Sequence, residues 1–320
     1  MLQWSTPVNA SQAAQCITSE DRLLLTGSCF SSQIGSKLAQ SGWHTTINPA
    51  GVMYNPLSIA AQINRWIQNK KPEPDELFLH QGLWRHADWH SSFAAATKEA
   101  ALETLADSVS AGRNALQEAN VLILTPGTAR VYERAADGHL MANNHKLPSS
   151  DLNNRILSFR EVKQCLEELF SELTIFRPDL QIILTLSPVR HIRDGLEMNA
   201  YSKAILLSAI REVVQHQTSA SYFPSYEIMV DELRDYRFYE ADLIHPNAVA
   251  TDHIWNIFQQ VFLDTSGRQQ VKEVEQYRSM AAHRILHPDA EESTRFREKL
   301  SAIKQALQTR YPHLTFPEQE

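Results

Sequence analysis

The sequence predicts an α/β fold with a mainly parallel sheet, and three observations carry that expectation. Short apolar runs of strand length recur along the chain: Leu23-Leu24-Leu25, Val121-Leu122-Ile123-Leu124 and Ile182-Ile183-Leu184-Thr185-Leu186. Their hydrophobicity is continuous rather than alternating, the mark of strands buried on both faces. Segments of helical period separate them, and three of only ten glycines, Gly27, Gly51 and Gly127, fall just beyond a strand. The resulting order of strand and helix, repeated to a fifth strand, is that of a parallel sheet whose right-handed crossovers put helices on both sides.

The first strand ends at Thr26-Gly27, and Ser31 to Gly42 follows as a helix with Ile34, Leu38 and Ala39 on one face and Gly42 as its stop. The second strand ends at Ile47 and runs into Asn48-Pro49-Ala50-Gly51. Pro56 opens a second helix carrying Ile59, Ile63, Trp66 and Ile67. Lys70 to Ser92, rich in Pro, Trp and His, reads as an irregular insertion rather than a sheet element. Ala94 to Ala119 is a long helix with Leu102, Leu105, Val109 and Leu116, and it leads into the third strand at Val121. Arg130 to His145, centred on Asp137-Gly138, reads as a hairpin projecting from that strand. Helices follow over Phe159 to Phe176 and Leu196 to Gln215, on either side of the fourth strand, and the last crossover helix spans Asn247 to Phe262. Beyond Leu263 the chain turns polar, with helical stretches from Val271 to Leu286 and Ala290 to Gln308 parted by Pro288. We expect one domain over residues 1–265 and a helical extension over 266–320, packed on the domain or used in homo-oligomer contacts.

The chain has 320 residues, 43% of them hydrophobic, enough to bury a full core. A net charge of −7 disfavours nonspecific nucleic-acid binding. The segment from Met1 to Asp21 lacks the basic stretch and apolar run of a signal peptide, and no segment approaches the roughly 20 apolar residues that cross a bilayer. Three scattered cysteines, Cys16, Cys29 and Cys165, fit neither a disulfide framework nor a cysteine-rich zinc site. The expectation is a cytoplasmic protein with no membrane contact and no cofactor.

Ligands of open α/β sheets bind beyond the carboxyl ends of the strands. There, Thr26-Gly27-Ser28-Cys29-Phe30 joins the first strand to a helix. Ser28 suits two jobs: a nucleophile whose oxyanion is stabilised by helix N-terminal N–H groups, or a helix N-cap. Cys29 would be an activated thiol at a helix start or a buried one, and ranks below Ser28. Far along the chain, Asp242 and His245 are three apart, a spacing that lets a carboxylate fix an imidazole tautomer, and Pro246 leaves His245 just outside the following helix. A serine after the first strand and Asp-x-x-His after the last converge on one sheet edge, which makes Ser28, Asp242 and His245 a candidate triad.

These residues belong to blocks that resemble the GSCFA family, related to the SGNH or GDSL-like hydrolases. The blocks are Thr26-Gly27-Ser28-Cys29-Phe30, Asn48-Pro49-Ala50-Gly51-Val52-Met53-Tyr54-Asn55-Pro56, Leu124-Thr125-Pro126-Gly127-Thr128-Ala129, Ser187-Pro188-Val189-Arg190-His191, Tyr222-Phe223-Pro224-Ser225-Tyr226-Glu227, and Asp231 to Tyr239 running into Asp242 and His245. The resemblance implies a flavodoxin-like three-layer α/β/α sandwich with a five-stranded parallel sheet. It also implies a serine esterase acting on small O-acyl groups, such as acetyl on a carbohydrate, with Ser28 as nucleophile and the N–H of Gly51 in the oxyanion hole. Two departures stand out. Ser31 replaces the alanine of the family's name, and Ala129 stands where the wider superfamily has an asparagine donor. Thr128 is the first choice to replace that donor, ahead of Asn143 and Asn144.

Other polar residues have two readings each. Arg190-His191 follows the fourth strand and would orient a substrate or pair with Glu227, Asp231 or Asp194; His145-Lys146 would overhang the site or form a solvated tip. His86-x-x-x-His90 with Asp88 lacks the glutamate of a helical zinc motif, so no metal is expected. Trp84 and Trp89 would stack on a sugar or fill the core. An acyltransferase on the same triad and a non-catalytic carbohydrate-binding or assembly protein stay open as alternatives.

Overall fold

The computed structural model describes residues 5–282, 291–312, 314 and 316. In chain order it contains β1 (Arg22–Gly27), α1 (Cys29–Gln40), β2 (His44–Ile47), α2 (Pro56–Gln68), β3 (Leu77–His80), β4 (Leu83–His86), α3 (Lys98–Glu118) and β5 (Val121–Thr125). There follow β6 (Arg130–Arg134), β7 (Leu140–Met141), β8 (Leu152–Ile156), α4 (Phe159–Phe176), β9 (Gln181–Thr185) and α5 (Leu196–Gln215). The chain continues through β10 (Ala220–Phe223), the short α6 (Ser225–Glu227) with a π-helical turn over Ile228–Leu233, α7 (Ala248–Phe262), α8 (Thr265–Ala281) and α9 (Glu291–Arg310).

Five strands pair in the order β10-β9-β5-β1-β2, every neighbouring pair parallel. Their apolar runs are continuous because both faces are covered. Leu24, Leu122, Leu124, Ile182 and Leu184 pack beneath α2 to α5, among Ile63, Val109, Phe170 and Leu206. Leu23, Leu25, Val121, Ile123 and Ile183 point the other way, against Phe30, Ile34 and Leu38 of α1 and Ile254, Phe258 and Phe262 of α7. The architecture is the expected three-layer sandwich. The chain turns to β2 on one side of β1 and to β5 on the other, so the strand order reverses between β1 and β5, where open sheets form their ligand crevice. Gly27 ends β1 at that seam with φ +140°, and a Cβ there would lie 2.3 Å from the Thr125 carbonyl oxygen of β5, which only glycine allows.

Two elements depart from expectation. Residues 70–92 are not irregular throughout: β3 and β4 form an antiparallel hairpin with Leu77 opposite His86. Its two-residue turn, Gln81-Gly82, has both φ angles positive, as a type I′ turn requires. The strands are only four residues each, Leu-Phe-Leu-His and Leu-Trp-Arg-His, too short for an apolar run to announce them. The expected hairpin after β5 is present as β6 and β7, but β8 joins it to make a three-stranded antiparallel sheet, β7-β6-β8. Its Leu-Asn-Asn-Arg-Ile sequence buries little and gives no strand signal.

α8 docks on the sandwich through Val271 and through Gln270, whose Nε2 donates to the Ser41 carbonyl at 2.7 Å. Val274 and Tyr277 of α8 pack with Leu300 and Leu307 of α9. The helix break expected at Pro288, with the ends expected at Leu286 and Ala290, lies outside the described residues. Among the described residues no helix is long and apolar enough to cross a membrane.

Candidate active site

The turn between β1 and α1 presents two candidate nucleophiles in different environments. Ser28 is the N-cap of α1: its extended backbone turns Oγ back to accept the Phe30 N–H at 3.3 Å, and its own N–H donates to Thr125 O at 2.9 Å. Only 1% of the residue is exposed. Cys29, the first residue of the helix, is half-buried with a free thiol. Among the described residues no other residue accepts its N–H, as expected of the first helical turn. Burial pushes the Cys29 thiol up; the N–H groups of Cys29 and Phe30 and the Lys203 ammonium pull it down, and the Asp242 carboxylate pushes it up again.

The facing loop explains the Asp-x-x-His spacing. Leu243 sits in the left-handed region at φ 58°, which wraps the chain around the Asp242 carboxylate. Oδ1 accepts the N–H groups of Ile244 and His245 at 2.8 and 3.1 Å, and Oδ2 accepts His245 Nδ1–H at 2.7 Å. Those bonds, the imidazole's first, hold the Asp242 carboxyl at about 2, so it is ionised at any physiological pH. Placing the proton on Nδ1 leaves Nε2 as the basic nitrogen. The His245 side chain is 41% exposed, and Nε2 has no hydrogen-bond partner among the described residues, neither Ser28 nor Cys29 included. The loop is moored to the end of β9: Arg190 N–H donates to Ile244 O at 3.2 Å and its guanidinium to Leu243 O at 3.3 Å. That mooring fixes the loop beyond the end of β9, near enough to the β1–α1 turn for the Asp242 carboxylate to act on the Cys29 thiol.

Three further groups converge there. Tyr54, in the loop after β2, lies close enough to Cys29 for a thiolate to raise its phenol, after burial has done so, and its ring packs 5.7 Å from His191. His191 is pushed down by burial first and then by Lys203. Lys203 of α5 is fully buried beneath the edge; its Nζ donates to Ser187 O at 2.6 Å, and desolvation pulls the amine down to about 7. Sequence reasoning missed Tyr54 and Lys203. The signal for Lys203 was a lysine in helical register with the apolar stripe Leu206, Ile210 and Val213, all buried.

The remaining expected residues are placed elsewhere or otherwise engaged. The Gly51 N–H donates to Asn48 O at 2.8 Å and closes its own turn, so it does not point free as an oxyanion donor. Thr128 is buried, with Oγ1 bonded to Ser202 Oγ at 3.0 Å and accepting the Arg130 N–H, while its N–H donates to Tyr54 O. Ala129 takes the Ser202 hydroxyl through its own N–H. Arg190 makes none of the expected ion pairs; its guanidinium stacks 4.0 Å from the Tyr239 ring centroid and holds the dyad loop. His145 is neither an overhang nor a solvated tip: it is 1% exposed, bonded through Nε2 to Ala87 O and set edge-on to Phe78. His86 bonds Glu76 and His90 bonds Ser92, and among the described residues no cluster of His, Cys, Asp or Glu could hold a metal. Trp89 is core, its Nε1 donating to Ser108.

A doubly wound α/β/α sandwich with an imidazole–carboxylate pair in the loop moored to the end of β9, and a hydroxyl and a thiol in the turn that ends β1, is the class of protein these features define. The chain belongs to the GSCFA family, whose profile matches residues 22–258. No curated protein matches the sequence. Solved structures to which it is similar include a Clostridium thermocellum family 3 carbohydrate esterase, 11% identical, over 77% of this chain and 95% of that one with a TM-score of 0.38. A carbohydrate esterase family 3 structure from Talaromyces cellulolyticus is 8% identical over 80% of this chain and 99% of that one, with a TM-score of 0.37.

Proposed function

We propose that the protein hydrolyses esters of small acyl groups, with the Asp242–His245 dyad moving the proton to and from a nucleophile in the β1–α1 turn. The observation that carries this reading is the dyad itself. A 2.7 Å bond to a permanently ionised carboxylate fixes the tautomer, and the basic Nε2 is left unpaired and open to solvent at the sheet edge. The helix N-terminal N–H of Cys29 has no acceptor on another described residue, and an oxyanion is stabilised where such N–H groups converge.

O-acetyl groups on a carbohydrate are the first substrates to try, on the strength of the motif resemblance; the same fold hosts many chemistries. The test is release of nitrophenol from a short-chain nitrophenyl ester by the full chain and by His245→Ala. The reading requires turnover in the native protein and its loss in the variant with an unchanged melting curve. Equal rates in the two proteins reject it. Repeating the assay with an added sugar alcohol identifies a transferase if the acyl group moves to the sugar in preference to water.

A further inference from the structure

We infer that the inserted β3–β4 hairpin carries an anion-binding site, in which the buried guanidinium of Arg85 takes a small oxyanion: the carboxylate of an acidic sugar or a phosphate group. The site is built from residues that the ester-hydrolase reading does not use, so either can fail without the other.

Two arginines are buried among the described residues, and they are treated differently. Arg65 of α2 stacks 4.9 Å from the Trp89 ring centroid and meets two carboxylates, Asp88 at 2.7 Å and Glu76 at 3.4 Å. Arg85 of β4, only 6% exposed, meets none. Its guanidinium makes no hydrogen bond or ion pair with any described residue, and its Nε is sealed from solvent without a partner. The acids of the insertion are already engaged: Glu76 with Arg65 and His86, Asp88 with Arg65 and His139. A guanidinium so placed has given up most of its water and received no acceptor in exchange, the condition in which a cation is completed by an anion from outside the chain.

The surroundings of Arg85 narrow the class of anion. Arg85 stands directly opposite Phe78 in the hairpin register, so the two side chains share one face, their Cβ atoms about 5 Å apart. His145 closes on that face, its ring centroid 5.6 Å from that of Phe78 and its Nε2–H donated at 3.2 Å to the carbonyl of Ala87, two residues beyond Arg85. That bond keeps the proton on Nε2, and burial pulls the imidazole down to about 4. Nδ1 is therefore a buried lone pair with no donor. The face lacks an acceptor at Arg85 and a donor at His145. A hydroxy acid or a hydrogen phosphate supplies both, anionic oxygens for the guanidinium fork and a hydroxyl for the ring nitrogen. Phe78 also lines a cavity of about 530 Å³ with Met141, Leu147 and Ser150, which leaves room beside it for the body of such a molecule.

The test is calorimetric titration of the full chain with inorganic phosphate and, separately, with glucuronate, repeated on isotope-labelled protein to follow the Arg85 Nε and His145 ring-nitrogen resonances. The expected result is saturable binding of at least one of the two, weakened by added sodium chloride, with both resonances moving as the site fills. Binding of phosphate alone assigns the site to a phosphate group, and binding of glucuronate alone assigns it to an acidic sugar. Arg85→Met keeps the packing of the stem and removes the charge, and should weaken binding by about 10-fold or more. It should also melt no lower than the native chain, because it strands no partner, which an arginine with a structural role would not allow. Arg85→Lys keeps the charge without the fork and should fall between the two. Binding is expected to survive in His245→Ala whether or not ester turnover does. Absence of saturable binding of either anion up to about 10 mM overturns the inference, as does equal affinity in Arg85→Met. Should Arg85→Met fail to fold, the native resonances decide: binding that leaves Arg85 Nε unmoved overturns it.

Discussion

Two regions of the molecule hold an aspartate 2.7 Å from a histidine, and they do opposite things with it. At the sheet edge Asp242 accepts two backbone N–H groups and His245, with no cation on it, so its whole charge is directed at one imidazole. In the inserted hairpin Asp88 accepts His139 at 2.7 Å but also the Nε and Nη2 of Arg65, a guanidinium nearly buried against Trp89. There the carboxylate's charge is matched by the arginine, and the histidine is a third claimant that ties the β6–β7 hairpin to α2. A carboxylate–imidazole pair becomes a base only where nothing else neutralises the carboxylate and the second nitrogen faces a nucleophile. Elsewhere it is a fastener.

The comparison breaks most visibly at the histidines. His245→Ala should lower ester turnover by about 10³-fold or more and leave the melting temperature in place, whereas His139→Ala should leave turnover intact. Initial-rate assays on matched protein decide it, and comparable losses in both variants would mean that the two pairs are not functionally distinct. The aspartates sharpen the same contrast in another observable. Asp242→Asn should cost roughly 10²- to 10⁴-fold in rate through loss of the tautomer. Asp88→Asn removes the closer of two carboxylates from the nearly buried Arg65, leaving Glu76 at 3.4 Å, and should cost about 2 kcal/mol in denaturant unfolding with little change in rate.

His145 extends the contrast to pH. Burial, then the nearby positive groups Arg85, His90 and His86, pull its imidazole down to about 4 against the help of the Ala87 carbonyl, and its Nδ1 is buried without a partner. Protonation would place an N–H there with no acceptor. Between the ordinary histidine range near 6.5 and about 4, the unfolded chain takes up a proton that the folded chain refuses. Stability therefore falls as pH drops through that window and is unaffected above it, by up to about 3 kcal/mol. His145→Gln should flatten that part of the stability profile relative to the native protein in urea titrations at pH 7 and pH 4. The dyad carboxylate stays ionised throughout the same window.

The parallel sheet was legible because strands covered on both faces leave continuous apolar runs, and the dyad because a carboxylate three residues before a histidine can reach it within one turn. β3 and β4 were not legible, since strands of four residues are too short to show a period and their pairing is fixed by the turn. The misplacement of His145 has a related cause: a histidine beside a hairpin end reads as exposed unless the neighbouring insertion, with Phe78 and Ala87, is known to close over it. Lys203 lies on the buried face of its helix, yet its surroundings depend on Ser187 and Cys29, which follow two different strands. Gly51 was assigned by resemblance, and where a backbone N–H points is decided by turn closure, which no motif records; Thr128 was chosen for following its strand directly, but its hydroxyl is taken by Ser202, which arrives from α5.

The smallest expected effect separates cap from nucleophile. Ser28 Oγ meets the Phe30 N–H at 3.3 Å in a site closed to solvent, so Ser28→Ala and Ser28→Gly should each cost about 1 kcal/mol, since no water replaces the lost acceptor. If the hydroxyl only caps α1, both variants lose stability together and any fall in rate stays small. If both variants melt like the native protein while turnover collapses equally in each, the hydroxyl acts in the chemistry rather than in the fold.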